Sequence, residues 1–155
     1  MLKKPSRSPV RKSSVRIAII TSAYNAKYVD GMLDAALLTL TNAGIQEVEL
    51  VRVPGAFEIP VVTAKIAQRK RQRPGVIICL GVILRGKTTH ADHIGQTVSH
   101  LLGQIAVKTG VPVIHEVLLL ENEAQAKTRC MSKETNRGNE AAHAALSMAE
   151  LIPKI

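Results

Sequence analysis

The 155-residue sequence contains no tryptophan, one phenylalanine and two tyrosines. So few rings leave little on which bases could stack, which argues against a single-strand nucleic-acid binder built on aromatic platforms. Cysteine is nearly as scarce. Cys79 and Cys130 are too few for a disulfide framework, and Cys79, inside an apolar run, is expected to be a buried thiol. A reducing, cytoplasmic setting is the default. No apolar run approaches the roughly 18 residues that cross a bilayer, and no long apolar segment with a cleavage site follows the N-terminus, so no signal peptide is read. Acid is missing from one place in particular. Residues 1–16 hold Lys3, Lys4, Arg7, Arg11, Lys12 and Arg16 and no carboxylate, so they supply +6 of the net +9 and leave only +3 to the rest.

A hydrophobic share of 46% against 21% charged residues suits one soluble domain with a core of its own. Residues 1–14, basic and rich in Ser and Pro, are expected to be a disordered tail, and residues 15–155 the domain. A second basic cluster, "RKRQR" at 69–73, precedes Pro74-Gly75, where a helix is expected to end and cations suit its dipole. Both clusters read as solvated charge, and nucleic acid is not an expected partner.

Apolar patterning alternates regularly along the chain. "VRIAII" (15–20) is short, β-branched and apolar, as a buried strand is. "KYVDGMLDAALLTLTNAG" (27–44) places Val29, Leu33, Leu37 and Leu40 on one helical face before Gly44. A strand is expected at 48–53, and then a helix from Phe57 that tolerates Pro60 only in its first turn. A buried strand at 75–84, a helix at 94–110 and a strand at 111–120 follow, with final helices at 121–130 and 138–152. Four strands alternating with helices predict an α/β domain: a four-stranded parallel sheet with helices on both faces, a flavodoxin-like three-layer sandwich. In such a fold the ligand lies at the carboxyl ends of the strands. "TSAYNAK", "VPGAFEIP", "RGKTTHADH" and "LLLEN" should therefore converge.

Residues 81–88, "GVILRGKT", satisfy the phosphate-loop pattern of nucleotide hydrolases. The context does not support it. No strand ends in a carboxylate suited to magnesium, and Val82, Ile83 and Leu84 are the tail of a strand, not a loop wrapping phosphate. Gly86, Lys87 and Thr88 ahead of a helix still suit some phosphate, through flexible amides, a cation and a hydroxyl. Among the five histidines, His90 and His93 form H-x-x-H, which lacks the spacing and glutamate of a zinc-enzyme helix, so no metal is expected. His100 and His143 fall within helices. His90, placed at the end of the third-strand loop, is the candidate for proton transfer.

"VPGAFEIP" (53–60) and "GVILRGKTTHADHI" (81–94), followed by "VPVIHEVL" and "RCMSKETNRG", resemble the lumazine synthase family over a region from about Arg16 to the C-terminus. Residues 85–90 fit that family's R-G-x-T-x-H segment, in which Lys87 fills the variable position and creates the hydrolase-like pattern by coincidence. The resemblance implies condensation of 5-amino-6-ribitylaminouracil with 3,4-dihydroxy-2-butanone 4-phosphate to 6,7-dimethyl-8-ribityllumazine, phosphate and water, without metal or cofactor. It implies that Tyr24, followed by Asn25, covers the pyrimidine, and that Ala56, Phe57 and Glu58 border the ribityl chain. Val82, Ile83 and Leu84 would hold the heterocycle through backbone groups. Gly86, Lys87 and Thr88 would receive the phosphate with Arg129 from a neighbouring subunit, Lys133 would lie near the ribityl chain, and His90 would shuttle protons.

Two positions depart from the family pattern: His115 replaces a phenylalanine that packs on the heterocycle from the adjacent subunit, and Ala91 replaces a common aromatic. The resemblance further implies a homo-oligomer, a pentamer or a shell of pentamers with sites between subunits, and riboflavin synthase as a possible partner. "CMSKETN" differs from the glycine-containing form associated with shells, which favours a simple pentamer. Two alternative functions follow from other features: an archaeal-type riboflavin synthase of related fold, and a nucleic-acid-binding protein acting through its basic tail.

Overall fold

The computed structural model describes residues 15–155; the expected disordered tail, 1–14, lies outside the described residues. Four strands and five helices alternate in chain order: β1 (Ile17–Ser22), α1 (Ala26–Asn42), β2 (Val48–Val53), α2 (Ile59–Ala67), β3 (Val76–Leu84), α3 (His90–Thr109), β4 (Val113–Leu120), α4 (Glu123–Cys130) and α5 (Arg137–Leu151). Single 3₁₀ turns precede α2 at Ala56–Glu58 and close the chain at Ile152–Lys154. All strand pairs are parallel, in the order β2-β1-β3-β4. The three-layer α/β arrangement expected from the alternation is therefore the one observed.

The period-two alternation of each central strand divides the core in two. Ile17, Ile19, Val76, Ile78, Leu80 and Val82 face one layer, where they meet Val29, Met32, Leu33 and Leu40 of α1 and Ala142, Ala145 and Leu146 of α5. Ala18, Ile20, Ile77, Cys79 and Ile83 face the other, against Ile59 and Ile66 of α2 and Val98 and Leu102 of α3. Burial from both sides is why β1 and β3 read as continuous apolar runs. Cys79 is the buried thiol expected, pushed up to about 12 by desolvation. Among the described residues no helix is long and apolar enough to cross a membrane.

Two helix boundaries differ from the sequence expectation by more than two residues. The first is at α2, which ends at Ala67, so "RKRQR" does not complete it. Arg69 instead turns back to Glu49 of β2 with a bidentate pair of 2.7 and 2.9 Å, and Gln72 takes a left-handed φ of 54°. Arg73 donates to the Thr109 carbonyl at the end of α3. The dipole met there is that of a neighbouring helix. The second is at α3, which starts at His90, four residues earlier than expected. Thr89 stands at its N-cap and Asp92 in its first turn, where an acid suits the dipole. Gly110 ends it at φ 69°, its amide bonded to the Ala106 carbonyl, a left-handed conformation that costs glycine little.

The last two helices dock on α1 by close backbone approach. Asn136, buried at the N-cap of α5, accepts from the Gly138 amide at 2.8 Å and donates to the carbonyls of Cys130 (2.7 Å) and Gly31 (3.1 Å). A Cβ on Gly138 would lie 1.8 Å from the Met32 carbonyl oxygen, an atom of α1's own backbone. Gly138→Ala should therefore force the helices apart and destabilise the fold by about 1–3 kcal/mol or more. A chemical-denaturation midpoint unchanged from wild type would refute that docking.

Candidate active site

The carboxyl ends of the four strands form one rim, and local hydrogen bonds zip its loops together. Ala23 and Tyr24 donate their amides to the carbonyls of Val53 (2.8 Å) and Pro54 (3.1 Å), joining the segments that follow β1 and β2. Asn25, at a left-handed φ of 56°, precedes α1 without capping it. Its side-chain amide crosses instead to the Val82 carbonyl at 2.8 Å. That bond reaches a part of β3 that no strand covers on this side. The β1–β3 ladder ends at the pair Thr21 and Leu80, whereas the β3–β4 ladder continues to Leu84 and Leu120. Alternate residues of a strand turn their backbone groups to the same edge. Val82 and Leu84 thus face the open edge beside the β1 loop, with the Val82 carbonyl held by Asn25. Ile83 turns its backbone the other way, towards β4.

Two of the chain's three aromatic rings stand in the same region and are solvent-facing: Tyr24 is 75% exposed and Phe57 56%. The third, Tyr28, is buried in α1. A ring left in water forgoes roughly 1.5–3 kcal/mol of burial, so two such rings on adjoining loops mark a surface made to be covered. Phe57 lies in the 3₁₀ turn with Ala56, which is buried, and Glu58, which is half-buried. The Glu58 carboxylate folds back over Gly55, where one of its oxygens lies 2.9 Å from the place a Cβ would occupy.

The loop after β3 carries Gly86, Lys87, Thr88 and His90, all exposed. Nothing lies within 4 Å of a Cβ built on Gly86. The internal bonds of the loop are long: the His90 amide to Thr88 Oγ1, and Thr89 Oγ1 with the His93 ring, each at 3.4 Å. His90 is the first residue of α3, so the free amides of the helix N-terminus lie beside it, an arrangement that favours an anion. Among the described residues no cluster of histidine, cysteine, aspartate or glutamate could hold a metal ion.

Arg85, which the motif reading passed over, is the most heavily bonded side chain of the rim. Its guanidinium grips Asp92 through two parallel bonds of 2.7 and 2.8 Å and reaches Glu121 through Nε at 3.0 Å. Hydrogen bonding to Arg85 holds the Asp92 carboxyl below its ordinary range. The cation of the loop nearest the sheet is therefore neutralised, while Lys87 remains exposed.

His115 lies on β4 and is committed to its own chain. Its Nδ1 accepts from the Val117 amide at 3.0 Å, and its Nε2 meets Ser99 Oγ at 2.7 Å. Ser99 in turn donates to the Gly95 carbonyl. With Nδ1 an acceptor and the serine proton spent on Gly95, the ring is the neutral Nε2–H tautomer. Desolvation lowers its pKa in agreement. On the opposite face of β4, Glu116 is buried against Arg137 at 3.0 Å, and burial raises its pKa. Arg129 and Lys133 are exposed on α4 and the segment after it.

Most of the chain, residues 14–153, matches the family model described as 6,7-dimethyl-8-ribityllumazine synthase. The chain belongs to that family. It is 39% identical over 153 residues to a 6,7-dimethyl-8-ribityllumazine synthase of Streptomyces coelicolor, covering 97% of this chain and 93% of the other. A synthase of the same name from Desulfotalea psychrophila is 39% identical over 139 residues, 88% of each chain. One from Kineococcus radiotolerans is 40% identical over 136 residues, 86% of this chain and 83% of its own. The segments that carry the lumazine synthase resemblance, around Tyr24, Phe57 and Gly86–His90, are brought to one rim by the fold. Arg129 and Lys133, on α4 and the segment after it, form no hydrogen bond or ion pair with that loop among the described residues. Three contacts escaped the motif reading, namely the Arg85 pairs, the Asn25–Val82 bond and the His115–Ser99 link. Each joins residues whose spacing matches no recurrent pattern.

Proposed function

We propose that this protein condenses 5-amino-6-ribitylaminouracil with 3,4-dihydroxy-2-butanone 4-phosphate to give 6,7-dimethyl-8-ribityllumazine, phosphate and water, a transferase step of riboflavin biosynthesis. Membership of the synthase family supports the reaction, and the convergence of its characteristic segments on one rim is the observation that carries the site assignment. In this reading Tyr24 covers the pyrimidine ring beside Asn25, and backbone groups at Val82 and Leu84 read its edge, whereas the Ile83 backbone, expected to join them, is turned to β4. The Asn25–Val82 bond leaves the amide of Val82 and the backbone of Leu84 as the groups on the open edge. Ala56 and Phe57 border the ribityl chain, and Glu58 accepts from its hydroxyls. A buried polyol needs such partners, because each unmatched polar group costs about 1–3 kcal/mol.

Gly86, Lys87 and Thr88 receive the phosphate at the N-terminus of α3, where amides and dipole favour an anion. His90 moves protons during imine formation and ring closure, the acid–base role that histidine most often fills. Holding both reactants together supplies much of the remaining rate. Arg129 and Lys133 form no bond with this loop among the described residues, and in this reading they are donated by a neighbouring subunit of a homo-oligomer. We infer a pentamer with sites between neighbours. His115, neutral and bonded through both nitrogens, offers its ring face to the heterocycle in place of the family phenylalanine.

Incubating the protein with the two substrates should produce lumazine fluorescence. Its absence from folded, assembled protein would sink this reading, and riboflavin formation from lumazine alone would favour the archaeal-type riboflavin synthase. Lys87→Ala should leave lumazine synthesis intact, or weaken it only through the KM of the ketone phosphate, and neither form should hydrolyse ATP. Magnesium-dependent ATP turnover abolished by that substitution would reinstate the nucleotide-hydrolase pattern.

A further inference from the structure

We propose that Arg85 is a positioning residue: by stapling Asp92 and Glu121 it holds the loop 86–90 in the shape that receives phosphate and sets His90, without touching phosphate itself. The inference rests on the proposed reaction for its kinetic consequences but not for its structural ones. An arginine adjoining a phosphate-binding loop is ordinarily read as a phosphate ligand. Here each of the three guanidinium nitrogens already donates to a carboxylate. Both terminal nitrogens face Asp92, and Nε lies 3.0 and 2.9 Å from the two oxygens of Glu121. With two carboxylates around one cation, the group has no surplus positive charge to offer an anion.

The three anchors sit on three different elements. Arg85 follows the last residue of β3, and its amide extends the ladder to the Leu120 carbonyl at 2.8 Å. Asp92 is in the first turn of α3, and Glu121 follows β4. The staple therefore spans the loop from just before Gly86 to two residues past His90. Within that span the loop has little else to hold it: a glycine with open space around it and three long bonds of 3.3–3.4 Å. All three side chains are partly exposed, at 33%, 32% and 55%, and exposed ion pairs contribute little to global stability. The bidentate geometry matters for shape, because the planar fork admits few orientations. A displacement of about 1 Å in a catalytic loop can cost as much as a hundredfold in rate.

The deciding set is R85K, D92N and the double variant R85K/D92N, made in the full-length chain. If Arg85 positions, each single variant should raise the KM for the ketone phosphate and the inhibition constant of inorganic phosphate by roughly tenfold. The KM for the pyrimidine should hold within about twofold. The double variant should be no worse than the more damaged single, since both substitutions break the same staple. If Arg85 were a phosphate ligand, D92N would free its guanidinium and tighten phosphate, and R85K would be damaging whether or not Asp92 was present. Tighter phosphate in D92N, or additive losses in the double variant, overturns the proposal. Hydrogen exchange over residues 85–92 is the second arm, and it does not require turnover. R85K and D92N should each accelerate exchange in that segment severalfold and leave the core strands unchanged. Unchanged exchange there overturns the staple, even if the wild-type protein makes no lumazine and the proposed reaction is lost.

Discussion

Arg129→Ala should raise the KM for the ketone phosphate by about ten- to a hundredfold and leave the KM for the pyrimidine nearly unchanged. The arginine is exposed in the last turn of α4, where a lone cation ordinarily contributes almost nothing. Its charge acts within its own chain on the buried Glu116, which would survive as a small stability effect at most. A charge-assisted contact to phosphate is worth roughly 1.5–3 kcal/mol, which gives the stated range. Lysine at 129 should recover part of the loss, because an ammonium cannot reproduce the bidentate fork.

The same variant tests the shared site. His90→Ala and Arg129→Ala oligomers, mixed under conditions of subunit exchange, should regenerate sites that carry neither lesion. Activity above that of either variant alone places the two residues on different chains. Absence of recovery despite demonstrated exchange puts them on one chain and ends the interface model.

His90→Ala should slow turnover by about a hundredfold or less, the low end for a lost acid–base group. The reacting amine and ketone are themselves reactive, and a site that holds both together keeps much of its rate without the imidazole. The substitution leaves the local backbone bond in place, because it is the main-chain amide of residue 90 that reaches Thr88 Oγ1. The loss of rate therefore reports on the imidazole rather than on the start of α3. A stopped-flow measurement of lumazine formation at saturating substrates separates the chemical step from binding. Complete loss of activity in a folded, assembled variant would show that His90 does more than move protons.

The apolar runs at 15–20 and 75–84 announced strands because β1 and β3 are buried on both faces and tolerate almost no polar residue. The face of Val29, Leu33 and Leu40 announced α1 because one stripe of that helix meets the sheet. Boundaries were less legible. "RKRQR" has the composition of a helix end, yet two of its three arginines, Arg69 and Arg73, are claimed by Glu49 and the Thr109 carbonyl, partners 20 and 36 residues away. The pattern alone leaves His90 in a loop because its turn is begun by Thr89 and Asp92, whose preference for a helix start is a weaker signal than an apolar periodicity.

At the rim, the motifs named the segments, since a turn that approaches a ligand closely needs glycine and a phosphate site needs amides, cations and hydroxyls in local order. Those are properties of consecutive residues, and the sequence alone determined them, together with the alternation that sends all four loops to the same end of the sheet. The state of individual groups was decided only by the tertiary structure. Arg85 is neutralised because folding brings Glu121 to it from 36 residues away. Asn25 binds the Val82 carbonyl because β1 stops short of β3's end. His115 is a neutral tautomer because Ser99 and the Val117 amide take its two nitrogens. Charge and hydrogen-bonding capacity depend on which partner is within about 3 Å, and distance in space is what a linear order of residues does not record.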